Sequence, residues 1–116
     1  MPDDLQTLIA QLRAFAAARD WQQFHSPKNL AMALNVEAGE LLEHFQWLTE
    51  AQSRALDSDQ TEAVGAEAAD VLLYLLQLAD ALGIDLLQAA RNKLALNETR
   101  YPVERSRGNS RKHSDL

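Results

Sequence analysis

Two acidic pairs stand out by their spacing: Glu37 with Glu40, and Glu67 with Asp70. A three-residue separation on a helix puts both members of a pair on one face, where their oxygens can share a ligand. The chain has no cysteine, which excludes a disulfide framework, a thiol nucleophile and any thiolate metal site. Four carboxylates without thiolates favour a hard, oxygen-seeking ion, with Mg²⁺ the natural choice and Mn²⁺ a substitute. Solvated helix faces carry the same spacing, so the surroundings of the acids decide between the two readings. At about 100° per residue, Glu37 and Glu40 lie beside the stripe of Leu30, Leu34, Leu41 and Leu48 rather than opposite it. Residues 71–76, immediately after Asp70, are apolar on every side and predict a central, largely buried helix. Glu67, Asp70 and Tyr74 share one face of it. Like charges in such a setting are unfavourable unless a cation neutralises them. A di-iron bundle would require Glu-x-x-His on two helices, and His25, His44 and His113 each lack that glutamate.

Aromatic and donor side chains accompany the acids. Trp21 and Trp47 flank the second predicted helix, and Tyr74 lies one turn beyond Asp70. Flat aromatic faces suit stacking on a nucleobase; filling a small core is their commoner use, and it is their position beside the acids that favours a base pocket. His25, Lys28 and Asn29 stand at the start of that helix, where free N–H groups and the positive dipole end favour polar ligands. Lys93 and Asn97, four residues apart, and then Arg100 and Tyr101 supply donors suited to phosphate oxygens. A cationic last turn is also ordinary helix electrostatics.

These residues need elements to position them. Proline occurs only at positions 2, 27 and 102, and Val and Ile together number six, so sheet is disfavoured and helix formers dominate. The pattern predicts four helices. The first covers residues 4–19, with an apolar stripe of Leu5, Leu8, Ile9, Leu12, Phe15 and Ala16. The second opens at Ser26-Pro27 and runs to about Trp47, followed by a polar connection over residues 49–58 with room for a short turn of its own. Asp59 with Glu62 reads as the capping box of a third, which ends near Leu82 with Gly83 as its left-handed stop. Asp85 caps a fourth that stops before Pro102. Residues 103–116 are charged and aperiodic, a tail expected to drape over a partner or lie disordered, so the domain proper is 1–102.

The formal charge of −6 is unevenly spread. Residues 1–90 hold four cations and fourteen acids, while residues 91–116 hold seven cations and three acids. Net acidity argues against a general nucleic-acid coat. The expectation is a soluble cytoplasmic domain with neither nucleic acid nor membrane as partner.

The string Arg19-Asp20-Trp21-Gln22-Gln23-Phe24-His25-Ser26-Pro27-Lys28-Asn29-Leu30, leading into Glu37-Ala38-Gly39-Glu40, is distinctive. Phe45-Gln46-Trp47 closes that block, and Glu67-Ala68-Ala69-Asp70 with Tyr74, then Lys93, Asn97 and Arg100-Tyr101-Pro102, follow. This pattern resembles the MazG-like, all-α nucleoside triphosphate pyrophosphohydrolases, most closely their dCTP pyrophosphatase branch, over residues 10–110. The resemblance implies a four-helix bundle assembled as a homodimer or homotetramer. It implies that Glu37, Glu40, Glu67 and Asp70 bind the Mg²⁺ that holds a triphosphate, with Glu37 also orienting or deprotonating the attacking water. Trp21, His25, Trp47 and Tyr74 would line the base pocket, with Lys28 and Asn29 at its entrance. Lys93, Asn97, Arg100 and Tyr101 would touch phosphates. The implied reaction converts a (deoxy)nucleoside triphosphate, dCTP or a modified dCTP, to the monophosphate and pyrophosphate. The other classes open to the same sequence are a non-catalytic nucleotide-binding or regulatory module and a structural bundle with solvated acids.

Overall fold

The computed structural model describes residues 4–116. Among these residues six helices follow in chain order, the four expected and two of a single turn: α1 (Asp4–Ala18), α2 (Pro27–Glu43), α3 (Glu50–Ser53), α4 (Ser58–Ala81), α5 (Leu86–Arg100) and α6 (Val103–Ser106). Single 3₁₀ turns occupy Gln22–Phe24 and His113–Asp115. The described residues contain no strand, and none of their helices is long and apolar enough to cross a membrane.

Local hydrogen bonds explain most boundaries. The Ser26 hydroxyl accepts from the Asn29 amide at 3.1 Å, and Pro27 takes the first helical position of α2. The Asp85 carboxylate accepts from the Gln88 amide at 3.0 Å and opens α5. Gly83, at φ +67°, stops α4: the Ile84 amide bonds the Ala79 carbonyl and the Gly83 amide bonds that of Asp80.

Three boundaries differ from the sequence reading. The capping box of α4 is Asp57 with Gln60, each side chain accepting from the other's amide, rather than Asp59 with Glu62. Both pairs have the right spacing, but it is Asp57 that adopts the extended backbone a cap requires. Helix α2 ends at Glu43 and not at Trp47: His44 and Phe45 bond carbonyls only three residues back, tightening the chain into turns. The C-terminal stretch expected to drape over a partner or lie disordered carries α6, capped at Pro102, and a second 3₁₀ turn; the Tyr101 and His113 rings meet edge-on at 5.9 Å.

The chain divides into two compact units, one ending at Ile84 and the other formed by Asp85–Leu116. In the first, α4 packs chiefly on α2 and secondarily on α1. The residues of α2 that turn inward are Leu30, Ala33, Leu34, Glu37 and Leu41, one helical face in which a glutamate takes an apolar position. On α4 the matching series is Val64, Glu67 and Val71. Arg13 of α1 grips Asp80 of α4 through two parallel hydrogen bonds, Nε donating to Oδ2 at 2.8 Å and the second guanidinium nitrogen to Oδ1. That contact bridges 67 residues of sequence.

The core is thin. Among the described residues only Ala16, Leu30, Leu76 and Ala79 are buried. Helix α4 is therefore less covered than its apolar run predicts, with Leu72 39% exposed. Two neighbouring helices cannot enclose a helix that is apolar all round.

Candidate metal centre and the cavity beside it

Glu37, Glu67 and Asp70 each place a carboxylate oxygen within 4.8 Å of the others. Glu37 and Glu67 are half-buried because they sit on the facing stripes of α2 and α4, whereas Asp70 is exposed. Glu40 is exposed and outside this trio, yet close enough to act on Glu67. The Glu67 carboxyl is pushed up to about 8, first by sharing its proton with Glu37, then with Glu40, then by desolvation, and last by the charges of Glu40 and Glu37. Apart from that shared carboxyl proton, Glu37 Oε2 and Glu67 Oε1 are buried with no hydrogen-bond partner. Buried carboxylate oxygens without donors are costly. A hard cation is the chemical group that would satisfy both while removing the repulsion. The donor set therefore fits a metal ion.

Beside the cluster lies a cavity of about 370 Å³, and Asp70 belongs to both. Helix α1 lines it with Leu8, Gln11, Leu12 and Phe15, and α4 with Asp70, Leu73, Tyr74 and Gln77. Trp21 and His25 complete the wall from the α1–α2 turn. The volume is within the range of small-molecule sites, about 300–1,000 Å³. A second, smaller cavity of about 150 Å³ shares Leu12, His25 and Gln77 and ends on Arg13 and Asp80.

The turn aims its aromatics through local backbone chemistry. Asp20 holds φ +53°, a left-handed conformation that aspartate tolerates better than most residues. It ends α1 in the same way that Gly83 ends α4: the Trp21 amide bonds the Ala16 carbonyl and the Asp20 amide bonds that of Ala17. The Gln23 carboxamide locks the turn by donating to both the backbone and the carboxylate of Asp20, each at 3.0 Å. The residue following such a stop commonly packs on the last turn of its helix. Here Trp21 meets the Phe15 ring edge-on at 5.7 Å, and His25 approaches Trp21 at 6.4 Å.

The remaining residues expected at the site fall elsewhere. Trp47 stands on the turn after α2, is 86% exposed and does not line the cavity. Lys28 is exposed, and Asn29 donates its side-chain nitrogen to the Phe24 carbonyl at 3.0 Å, holding the turn. Lys93, Asn97, Arg100 and Tyr101 belong to the second unit, where the Tyr101 amide bonds the Asn97 carbonyl at 2.8 Å. Sequence reasoning did not single out Gln11, Gln77 or the Arg13–Asp80 pair. Gln77 was legible as the next position on the Asp70–Tyr74 face; the ion pair had no local signal.

A helical hairpin that brings an acidic trio beside an aromatic cavity invites comparison with known proteins. The MazG-like family profile matches residues 32–116. The chain belongs to the MazG-like family. Its relatives include dCTP pyrophosphatase 1 of Mus musculus, 46% identical over 98% of this chain and 66% of that protein. The Bos taurus protein of the same name is 43% identical over 98% of this chain and 67% of its own, and the Homo sapiens protein 41% identical over 98% and 66%. The chain thus spans about two thirds of the length of these curated relatives. Among solved structures, a pyrophosphatase of Archaeoglobus fulgidus superimposes with a TM-score of 0.82 at 37% identity, covering 88% of this chain and 95% of that one. The two share their fold over that length.

Proposed function

We propose that the chain is a pyrophosphohydrolase of (deoxy)nucleoside triphosphates, acting on dCTP or a modified dCTP and releasing the monophosphate and pyrophosphate in the cytoplasm. The observation that carries this reading is the convergence of Glu37, Glu67 and Asp70, with two buried oxygens that have no partner but a shared proton, at the rim of an aromatic-walled cavity. The names of the MazG-like relatives supply the substrate class. Glu37, Glu67 and Asp70, with Glu40 beside them, would hold Mg²⁺, or Mn²⁺ in its place. When bound, that ion supplies neutralisation of the charge that spreads over phosphate oxygens during hydrolysis.

The protein's own groups do the rest. Trp21 and Tyr74 present flat faces for the base, each stack being worth about 1–3 kcal/mol where measured. Leu8, Leu12 and Phe15 of α1 give the base an apolar wall. Glu37, its Oε2 free of protein donors apart from the proton shared with Glu67, accepts a proton or a hydrogen bond from the attacking water. Lys93, Asn97, Arg100 and Tyr101 are assigned to the phosphates, and Lys28 to the entrance.

Among the described residues fourteen large hydrophobic side chains stand exposed and four residues form the buried core. Exposed apolar surface on this scale favours association, and a homodimer or homotetramer is the assembly proposed. Trp47, outside its own chain's cavity, would then contribute to a neighbouring subunit's site.

The test is pyrophosphate release from a panel of nucleoside triphosphates with Mg²⁺, comparing the wild-type chain with Glu37→Gln and Asp70→Ala. The expected result is turnover of dCTP reduced at least about 100-fold in both variants, with melting temperatures retained. Nucleotide binding without product would move the chain to the non-catalytic class. Normal turnover in both variants would remove the metal assignment.

A further inference from the structure

Gln77 lies two helical turns beyond Asp70 on α4 and lines the same cavity, as do the polar side chains of Gln11 and His25. Asp70, Leu73, Tyr74 and Gln77 all line that space from α4, and seven residues of helix carry the chain about 10 Å along its axis. This is comparable with the reach of a mononucleotide from its phosphate to the far edge of its base. With phosphates near Asp70 and the ring against Tyr74 and Trp21, the exocyclic edge of the base arrives at Gln77.

A carboxamide can usually present either its donor or its acceptor, because it can rotate by half a turn. Gln77 is not free to do so without loss. Its Nε2 donates to the Leu73 carbonyl at 3.2 Å in a partly buried position. That bond leaves Oε1 and one remaining N–H for a ligand. Turning the carboxamide over would set Oε1 against the Leu73 carbonyl, two acceptors facing one another.

We infer that Gln77 selects the base, accepting at Oε1 from the exocyclic amine of a 4-aminopyrimidine and donating its free N–H to the adjacent ring nitrogen. A 4-ketopyrimidine presents the opposite pattern, an oxygen facing Oε1 and a ring N–H facing Nε2. Buried polar groups left unpaired by the wrong ligand are the strongest source of discrimination in such sites. Among the described residues no lysine or arginine lines this cavity, and beside Gln77 only Gln11, Trp21, His25, Asp70 and Tyr74 bring polar atoms to it. The inference rests on the nucleotide reading above and names which bases the same site takes.

Two measurements test it. The first titrates the metal-free protein with dCMP and dTMP by calorimetry, so that it needs neither turnover nor Mg²⁺. The second compares kcat/KM for dCTP and dTTP. The wild-type chain should prefer the cytosine nucleotide in both. Gln77→Leu, of similar size and suited to an apolar helix, should cut that preference about tenfold or more without lowering the melting temperature. A wild-type chain without preference for dCMP over dTMP, or a Gln77→Leu variant with the wild-type ratio, would each overturn the inference. If no triphosphate is hydrolysed, the proposed function falls, and the product titrations still judge Gln77.

Discussion

Cation binding to the acidic trio should expel a proton, and the amount follows from the Glu67 environment. Its carboxyl is held up to about 8, with Glu37 and Glu40 as the principal causes. In the metal-free protein at pH 7 about nine-tenths of Glu67 is therefore protonated, falling to about half at pH 8 and about a tenth at pH 9. A metal ion needs the ionised form, so binding releases that fraction to the solvent. Calorimetric titration of Mg²⁺ or Mn²⁺ in two buffers of different ionisation enthalpy counts those protons. The expected values are about 0.9 per ion at pH 7 and about 0.1 at pH 9, with affinity rising about tenfold per pH unit below pH 8. The Glu67→Gln variant should bind more weakly and release none. Equal enthalpies in the two buffers at pH 7 would refute the reasoning, because Glu67 would then be ionised before the metal arrives. The same shift acts on stability. The unfolded chain loses this proton near 4.5 and the folded chain near 8. Metal-free stability should consequently fall as pH rises through that interval and level off above it, and Glu67→Gln should flatten the slope in thermal melts.

Two further changes probe how the site is held. Asp80 is kept below the usual carboxylate range, chiefly by its hydrogen bonds from Arg13 with burial opposing. Its contribution to stability is therefore present above the ordinary aspartate range and lost as pH falls through the depressed value, so Asp80→Asn should lower the melting temperature at pH 7 and converge with wild type in acid. At the α1–α2 turn, Asp20→Val places a β-branched residue in the left-handed conformation and should cost about 1–2 kcal/mol in denaturant unfolding, whereas Asp20→Gly should be tolerated. Altered Trp21 fluorescence in the valine variant alone would show that the turn aims the ring, and identical spectra would contradict it.

What was legible in the sequence was local. The Ser26 cap with Pro27, the Asp85 cap and the Gly83 stop each depend on hydrogen bonds spanning a few residues, so residue type and spacing are enough to place them. The acid pairs were visible for the same reason, since three-residue spacing fixes a shared helix face. Ambiguity arose where two local solutions compete. Asp57/Gln60 and Asp59/Glu62 have identical spacing, and only the backbone conformation before α4 chooses between them. The end of α2 was misplaced because Phe45 and Trp47 continue an apolar pattern through a stretch whose hydrogen bonds have already shortened.

The sequence by itself determined a helical fold class, the Ser26-Pro27 and Asp85 starts, the Gly83 stop, and four carboxylates in two pairs. Tertiary structure decided which of them meet. Glu37 and Glu67 converge because each occupies the inward stripe of its helix, and Asp70 joins them at the rim, while Glu40 lies one step outside. It also decided that Trp21 rather than Trp47 walls the cavity, that Gln77 lines it, and that Arg13 reaches Asp80 across 67 residues. The physical reason is that a helical face is set by periodicity within one segment, whereas the partner of that face depends on how separate helices cross, and no spacing along the chain records the crossing.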